Sequence, residues 1–328
     1  MRHTLAADIG GTKTLLLLST EQGEPVLEQE FPSQKFARFD LMLSEFLNQG
    51  QNTKHTIDSA CFAVAGPVLG RKAKVTNLPW QLNADDLEKT FDIHHVHLCN
   101  DFEAVAYGIT CLADDDIFIL QQGEIDDHAP RAVIGAGTGL GQALLLPENE
   151  GWRVVPTEGG HVDFAPIDQK QIVLLEQLIN RFDHVSYERL LSGPGLVLIY
   201  EFLRTYQQYD ENLELNQAIV NADPAAVISQ FALEHQDALA MEALDLFVQI
   251  YGAQAGNLAL TVLPMAGLYI AGGIAAKNLQ RFKQGSFLDA FSAKGKMTAL
   301  MKKIPIKIIL QPKVGLLGAR LLAQKFTV

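Results

Sequence analysis

Apolar runs that stop abruptly at glycine recur three times along the chain. Leu5-Ala6-Ala7-Asp8-Ile9 runs into Gly10-Gly11-Thr12-Lys13, and Ala132-Val133-Ile134 into Gly135-Ala136-Gly137-Thr138-Gly139-Leu140-Gly141. Leu268-Tyr269-Ile270 runs into Ala271-Gly272-Gly273-Ile274. Short apolar runs bounded by glycine read as interior strands. Ala6 to Ser19 is predicted as a hairpin, with residues 24–32 as a third strand. The spacing of Leu41, Leu43, Phe46 and Leu47 predicts a helix over Phe39 to Phe46. Ile57 to Val64 reads as a buried strand ending at Gly66-Pro67. Asn83 has the character of an N-cap, followed by Asp85 and Asp86 in the first turn. His95 to Cys99 is the next strand and delivers Asn100-Asp101 at its carboxyl end, before a helix predicted over Phe102 to Leu112.

The acidic run Asp114-Asp115-Asp116 is a candidate boundary, and a second strand set is expected from Ile117 to Val155. From Asp168 to Leu263 the pattern is mostly helical, broken at Gly193-Pro194-Gly195 and Asp223-Pro224. Met241 to Leu263 is apolar on most faces and predicts one long, largely buried helix. Ile304 to Leu310 is expected as a strand and Leu316 to Phe326 as a closing helix that packs back on the amino-terminal domain. A chain of 328 residues is long for one core. The expected organisation is α/β, with a smaller α/β domain over residues 1–112, completed by the helix at about 312–328, and a larger α+β domain over 113–311.

Composition narrows the class. Hydrophobic residues at 48% and charged residues at 20% suit a soluble globular protein. The net charge of −12, with no basic stretch to offset it, argues against nucleic-acid and anionic-membrane partners. The longest apolar run, Leu258 to Ala271, is interrupted by Pro264 and Gly267 and is too short to span a bilayer. The chain opens into a strand without a basic-then-apolar leader, so a cytoplasmic protein is expected. Cys61, Cys99 and Cys111 are odd in number and unclustered, and read as reduced core cysteines.

Glycine turns after strands let backbone N–H groups approach a phosphate closely. The first two clusters share a Gly-Thr step and read as two copies of one phosphate-binding hairpin, with a nucleotide held in a cleft between two related halves. Asp8 stands just before the first turn. A carboxylate beside phosphates is repulsive without a cation, so its role is to hold Mg²⁺ through water. Gly10, Gly11 and Thr12 would then donate to phosphate; a tight turn capped by Asp8 is the plainer alternative. The Gly-Thr-Gly-Leu-Gly run superficially fits a dinucleotide fingerprint, but strand-like residues follow Gly141, and no Gly-Lys-Ser/Thr P-loop occurs. An aspartate at a strand's carboxyl end, as Asp101 is, can accept a proton from a substrate hydroxyl; it or Asn100 can equally cap the next helix. Glu158-Gly159-Gly160-His161-Val162-Asp163 brings donors and acceptors together as sugar hydroxyls require. His161 lacks the paired spacing of a zinc site. Glu188, at a helix start, carries a weaker signal. His94, His95 and His97 alternate on a strand and read as surface or core residues.

In this order the motifs resemble those of the bacterial glucokinase family, within the hexokinase–actin–Hsp70 superfamily. The match runs from Asp8-Ile9-Gly10-Gly11-Thr12 through Asn100-Asp101-Phe102-Glu103-Ala104-Val105-Ala106 and Gly135 to Gly141. It continues through Glu158 to Pro166, Glu188-Arg189-Leu190-Leu191-Ser192-Gly193-Pro194-Gly195 and Ala271-Gly272-Gly273-Ile274. The resemblance implies a ribonuclease H-like, actin-like ATPase fold with a cleft between its domains, a homodimer, and phosphotransfer from ATP to the 6-hydroxyl of glucose. It implies Asp101 as general base and Asn100, Glu158, His161 and Glu188 as sugar contacts, with Asn77 as a further candidate. Gly10 to Thr12 and Gly137-Thr138 match the phosphate loops, and Gly272-Gly273 the adenosine loop. Zinc, which the related repressor/open-reading-frame/kinase branch binds with a cysteine cluster, is not implied: all three cysteines here precede His161. Lys13 departs from some members' asparagine and is assigned no role. A different hexose such as mannose, a sugar-responsive DNA-binding regulator and a non-sugar ATPase are the competing readings.

Overall fold

The computed structural model describes residues 2–49, 56–149, 151–207, 209 and 212–325. It divides into two compact units: Met1–Asp114 with Val154–Pro156 and Lys313–Val328, and Asp115–Arg153 with Thr157–Pro312.

The first unit contains β1 (Arg2–Ile9), β2 (Lys13–Thr20), β3 (Pro25–Pro32), α1 (Phe39–Asn48) and β4 (Thr56–Val64). Three short strands follow, β5 (Val68–Leu69), β6 (Lys72–Lys74) and β7 (Gln81–Asn83), then α2 (Ala84–Phe91), β8 (Ile93–Asn100) and α3 (Asp101–Gly108). Its main sheet runs β3-β2-β1-β4-β8, and β5 to β7 form a separate small sheet. β1 is antiparallel to β2 and parallel to β4, which is parallel to β8. The period-2 side-chain alternation divides each strand between two cores. Leu5, Ala7, Ile9, Leu16, Leu18, Phe62 and Val64 join Phe39, Met42, Leu43 and Phe46 of α1 in one. Ala6, Leu15, Leu17, Cys61, Ala63 and Cys99 face Leu316, Ala319 and Leu322 of the C-terminal helix (Val314–Lys325) in the other. Each fully buried leucine or phenylalanine contributes about 1.5–3 kcal/mol.

The N-cap reading holds at Asn83, whose side chain accepts the Asp85 N–H. The helix expected to Leu112 is corrected: α3 ends at Gly108 and a 3₁₀ turn covers Ile109–Cys111. Only Ile109 of that turn is buried, so Cys111 is exposed and is not a core cysteine; Cys61 and Cys99 are buried, with free thiols.

The second unit contains β9 (Ile117–Gln121), β10 (Arg131–Ala136), β11 (Leu140–Glu148), the ends of β12 (Gly151–Thr157), whose Val154–Pro156 are grouped with the first unit, α4 (Gln169–Ile179), α5 (Tyr187–Leu190) and α6 (Gly193–Tyr206). Then come α7 (Leu213–Asn221), α8 (Pro224–Gln230), α9 (Ala238–Val262), β13 (Gly267–Ala271), α10 (Gly273–Lys277) and β14 (Ile306–Ile309), with short helices between the last two. The sheet order is β12-β11-β10-β13-β14-β9. α9 is buried on most faces, as its sequence requires, and lies in the unit's core with Phe282, Phe287 and Phe291. The interruptions at Gly193-Pro194-Gly195 and Asp223-Pro224 are helix starts, with Ser192 and Asp223 as capping acceptors and proline in the first turn.

Candidate active site

In the first unit three parallel strands end abreast. Ile9 pairs with Val64, and Val64 with Asn100, so the turn after β1 and the start of α3 share one carboxyl edge with β4 between them. Two strand spacings separate them by about 10 Å. Such an edge is where open α/β sheets place ligands. Asn100 is the N-cap of α3: its Oδ1 accepts the Phe102 N–H at 2.9 Å, and its Nδ2 donates to Gly66 O at 3.3 Å. Asp101 is the first residue of the helix, half-buried, with its Oδ1 3.0 Å from the same Phe102 N–H. The cap and the functional reading of this dipeptide are therefore compatible.

The first glycine turn is closed by a Gly10 N–H bond to Lys13 O at 3.0 Å. Ser33, fully buried, braces it from β3's end: its hydroxyl donates to Gly10 O at 2.7 Å, and its N–H to Thr12 O at 2.9 Å. Asn77 lies beside Gly11 in a left-handed conformation, φ 66°, exposed. Lys13 reaches Glu30 at 2.9 Å. Asp8, next to Gly315 at the start of the C-terminal helix, is desolvated, and burial pushes its carboxyl up to about 6. Lys13 offsets only part of that shift. A desolvated oxygen donor at a phosphate-type turn fits Mg²⁺, which takes one or two carboxylates and completes its shell with phosphate and water. Among the described residues no cluster of three or more His, Cys, Asp or Glu could hold a metal by itself.

In the second unit β10 and β13 run parallel with Gly135 beside Ala271, so the second and third glycine clusters emerge side by side. Gly272 has φ +84°, and a Cβ there would lie 2.2 Å from Ala136 O; only glycine permits this approach. β10 and β11 are antiparallel, which confirms a strand–turn–strand device at Gly137-Thr138-Gly139 rather than a dinucleotide turn. Gly137 and Thr138 line a cavity of about 1430 Å³ with Gly193, Gly273, Ile274 and Lys277.

Glu158, His161 and Glu188 converge on the same side of this unit. His161 Nε2 lies 3.8 Å from Glu158 Oε2, and its Nδ1 3.7 Å from Glu188 Oε1. His161 and Glu188 line the cavity too. The Glu158 turn rests on β11: Gln142 Nε2 donates to Gly159 O at 3.1 Å, and the Thr157 hydroxyl bonds Gln142 O and receives the Gly159 N–H, both at 3.1 Å. A Cβ on Gly160 would fall 1.9 Å from Leu140 O, so the turn sits directly on the strand.

Three supporting residues carried no signal in the sequence. Ser33 and Gln142 are ordinary polar residues near strand ends. Tyr251 stands within an apolar helix, yet its hydroxyl accepts the Ala136 N–H at 3.1 Å and lies 3.2 Å from Ile134 O and 3.5 Å from Ala271 O. A buried tyrosine needs a hydroxyl partner, which is the only available cue.

A glucokinase family model matches residues 5–326. A glucokinase of Trichormus variabilis is 43% identical over 342 aligned positions, covering 99% of this chain and 100% of that protein. The crystal structure of a glucokinase from an Antarctic psychrotroph superposes with a TM-score of 0.81 at 29% identity, covering 98% of this chain and 99% of that one. A glucokinase of the ROK family from Streptomyces griseus, solved with glucose and AMPPNP, shares the fold at 20% identity and a TM-score of 0.68, covering 98% and 99% of the two chains. The motif order, the site geometry and a match spanning nearly every residue agree: the chain belongs to the glucokinase family.

Proposed function

We propose that this chain transfers the γ-phosphoryl group of ATP to the 6-hydroxyl of glucose. The observation that carries the reading is the gathering of Glu158 and Glu188 around one imidazole, beside the Gly137-Thr138 turn. An ATPase that transfers phosphate to water has no use for two acids and a histidine arranged to exchange hydrogen bonds with vicinal hydroxyls. Support also comes from the relatives named above and from the glucose and AMPPNP bound by the Streptomyces griseus protein.

In this reading Asp101 accepts the 6-hydroxyl proton as O6 forms its bond to phosphorus and the bond to the departing ADP oxygen breaks. Asn100, Asn77, Glu158, His161 and Glu188 contact the sugar. Backbone N–H groups of Gly10, Gly11 and Thr12, and of Gly137 and Thr138, hold phosphate; Gly272 and Gly273 leave room for the adenosine. Asp8 holds Mg²⁺, which when bound neutralises phosphate charge. The actin-like fold of the family, with a cleft that excludes water as a competing acceptor, is part of the proposal. A cytoplasmic homodimer without nucleic-acid or membrane partners completes it, and sedimentation of the purified protein tests the dimer. No helix among the described residues is long and apolar enough to cross a membrane.

Asp101→Asn tests the central role. It should lower kcat by at least ~10²-fold while glucose still binds. Near-normal turnover by that variant would remove Asp101 from the chemistry. A panel of glucose, mannose and fructose with wild-type enzyme tests the choice of hexose.

A further inference from the structure

Glu188 divides its carboxylate between two neighbours. Oε1 faces His161 Nδ1 at 3.7 Å, on the side of the sugar cluster. Oε2 accepts the Leu140 N–H at 2.9 Å. Leu140 is the first residue after the Gly137-Thr138-Gly139 turn, whose own closure is a Gly137 N–H bond to Gly139 O at 2.8 Å. From the other side, the Gly193 N–H at the start of α6 donates to Gly137 O at 2.8 Å. The turn is thus gripped at both ends by the α5–α6 segment.

The segment is itself fixed. The Ser186 side chain accepts the Arg189 N–H, and the Ser192 hydroxyl donates to Glu188 O at 2.9 Å. Gly139 completes the fit, because a Cβ there would stand 2.5 Å from Glu188 Oε2. A carboxylate serving sugar hydroxyls alone has no need of a backbone N–H, and one placed beside phosphate without that N–H adds only repulsion. With its Oε2 charge met by Leu140, Glu188 becomes part of the turn's frame.

We infer that Glu188 is a positioning residue for the phosphate-binding turn, in addition to its sugar contact. The inference rests on the glucokinase reading above. It predicts that Glu188 governs nucleotide affinity in the complete absence of sugar, which a residue confined to the sugar pocket cannot do.

The test is calorimetric titration of the full-length protein with Mg-AMPPNP and no sugar present. Glu188→Leu should weaken binding about tenfold, the size of one lost charge-assisted hydrogen bond. Glu188→Gln keeps an oxygen for the Leu140 N–H and should stay within about threefold of wild type. Gly139→Ala, which wedges the carboxylate off the turn, should resemble Glu188→Leu. Glu158→Gln removes an acid from the sugar cluster without touching the turn, and should leave sugar-free nucleotide binding unchanged while weakening glucose. Circular dichroism confirms that each variant is folded; if Glu188→Leu is not, Gly139→Ala and Glu188→Gln carry the comparison. Unchanged or tighter nucleotide binding in folded Glu188→Leu or Gly139→Ala overturns the inference and leaves the glucokinase reading standing. A wild-type protein that binds no Mg-AMPPNP overturns both.

Discussion

Tyr251→Phe isolates one hydroxyl in the core of the second unit. The ring is fully buried, and phenylalanine fills the same volume, so no cavity forms. What is lost is the acceptor for the Ala136 N–H and a donor within reach of Ile134 O and Ala271 O. Ala136 immediately precedes Gly137, and Ala271 immediately precedes Gly272, so one side chain ties together the bases of two glycine turns. Burial pushes the Tyr251 hydroxyl well above its usual range, which keeps it a neutral donor at every working pH. A buried amide deprived of its partner loses about 1–3 kcal/mol. Taking about 2 kcal/mol, and about 2–4 °C per kcal/mol for a unit of this size, Tm should fall by about 4–8 °C. The functional consequence is selective: KM for ATP should rise several-fold while KM for glucose rises less. Tyr251 bonds the residues just before Gly137 and Gly272, whereas Glu188, although bonded to Leu140, is also held from the α5–α6 side by the Ser192 hydroxyl, and the Glu158 turn is held by Gln142. Thermal melts by circular dichroism and initial-rate kinetics with each substrate varied supply the two readouts. A variant with unaltered Tm, or with glucose KM raised as much as ATP KM, refutes this account of Tyr251.

Further outcomes follow from the same geometry. In metal-free, chelator-treated protein, Asp8→Asn should be more stable than wild type at pH 8. The folded pKa of about 6 lies above the unfolded 3.8, so the stability supplied by the protonated carboxyl is present below the lower value and lost as pH rises through the upper one. The bound is ~3 kcal/mol from ~1.4 kcal/mol per unit, reduced to about 1–2 by the residue's partial exposure. The gap should vanish near pH 4, and the same variant should lose Mg-dependent turnover; equal melting at both pH values contradicts the desolvation argument. Gln142→Met removes the amide that holds Gly159 O, and should raise KM for glucose about tenfold with kcat little changed; an unaltered KM shows that the turn does not depend on Gln142.

Much of this architecture was written in periodicity. The β1–β2 hairpin, β4, β8 and the long helix α9 follow from apolar runs that admit one burial pattern each, and Asn83 and Asn100 cap helices as their types and flanking acids require. The Glu158–His161–Glu188 gathering was legible only in part: the first two share a turn, but Glu188 arrives from a helix start where most glutamates are solvated. Its bond to Leu140 depends on tertiary placement and leaves no trace in spacing. Ser33, Gln142 and Tyr251 were invisible for the same reason, since a single hydroxyl or amide supporting a distant turn has no pattern. Strands β5 to β7 are two or three residues long, too short for alternation to register. Cys111 misled because an apolar neighbourhood in sequence, Ile109 and Leu112, surrounds a turn that points only Ile109 inward.

The most direct measurement is the product itself. Purified protein, Mg-ATP and uniformly ¹³C-labelled glucose should give glucose 6-phosphate, with phosphorus–carbon coupling at C5 and C6 and one ADP formed per sugar consumed; 6-deoxyglucose should bind without being phosphorylated. ATP consumption that is independent of glucose, or phosphate appearing on a different carbon, would contradict the assignment of Asp101 to the 6-hydroxyl.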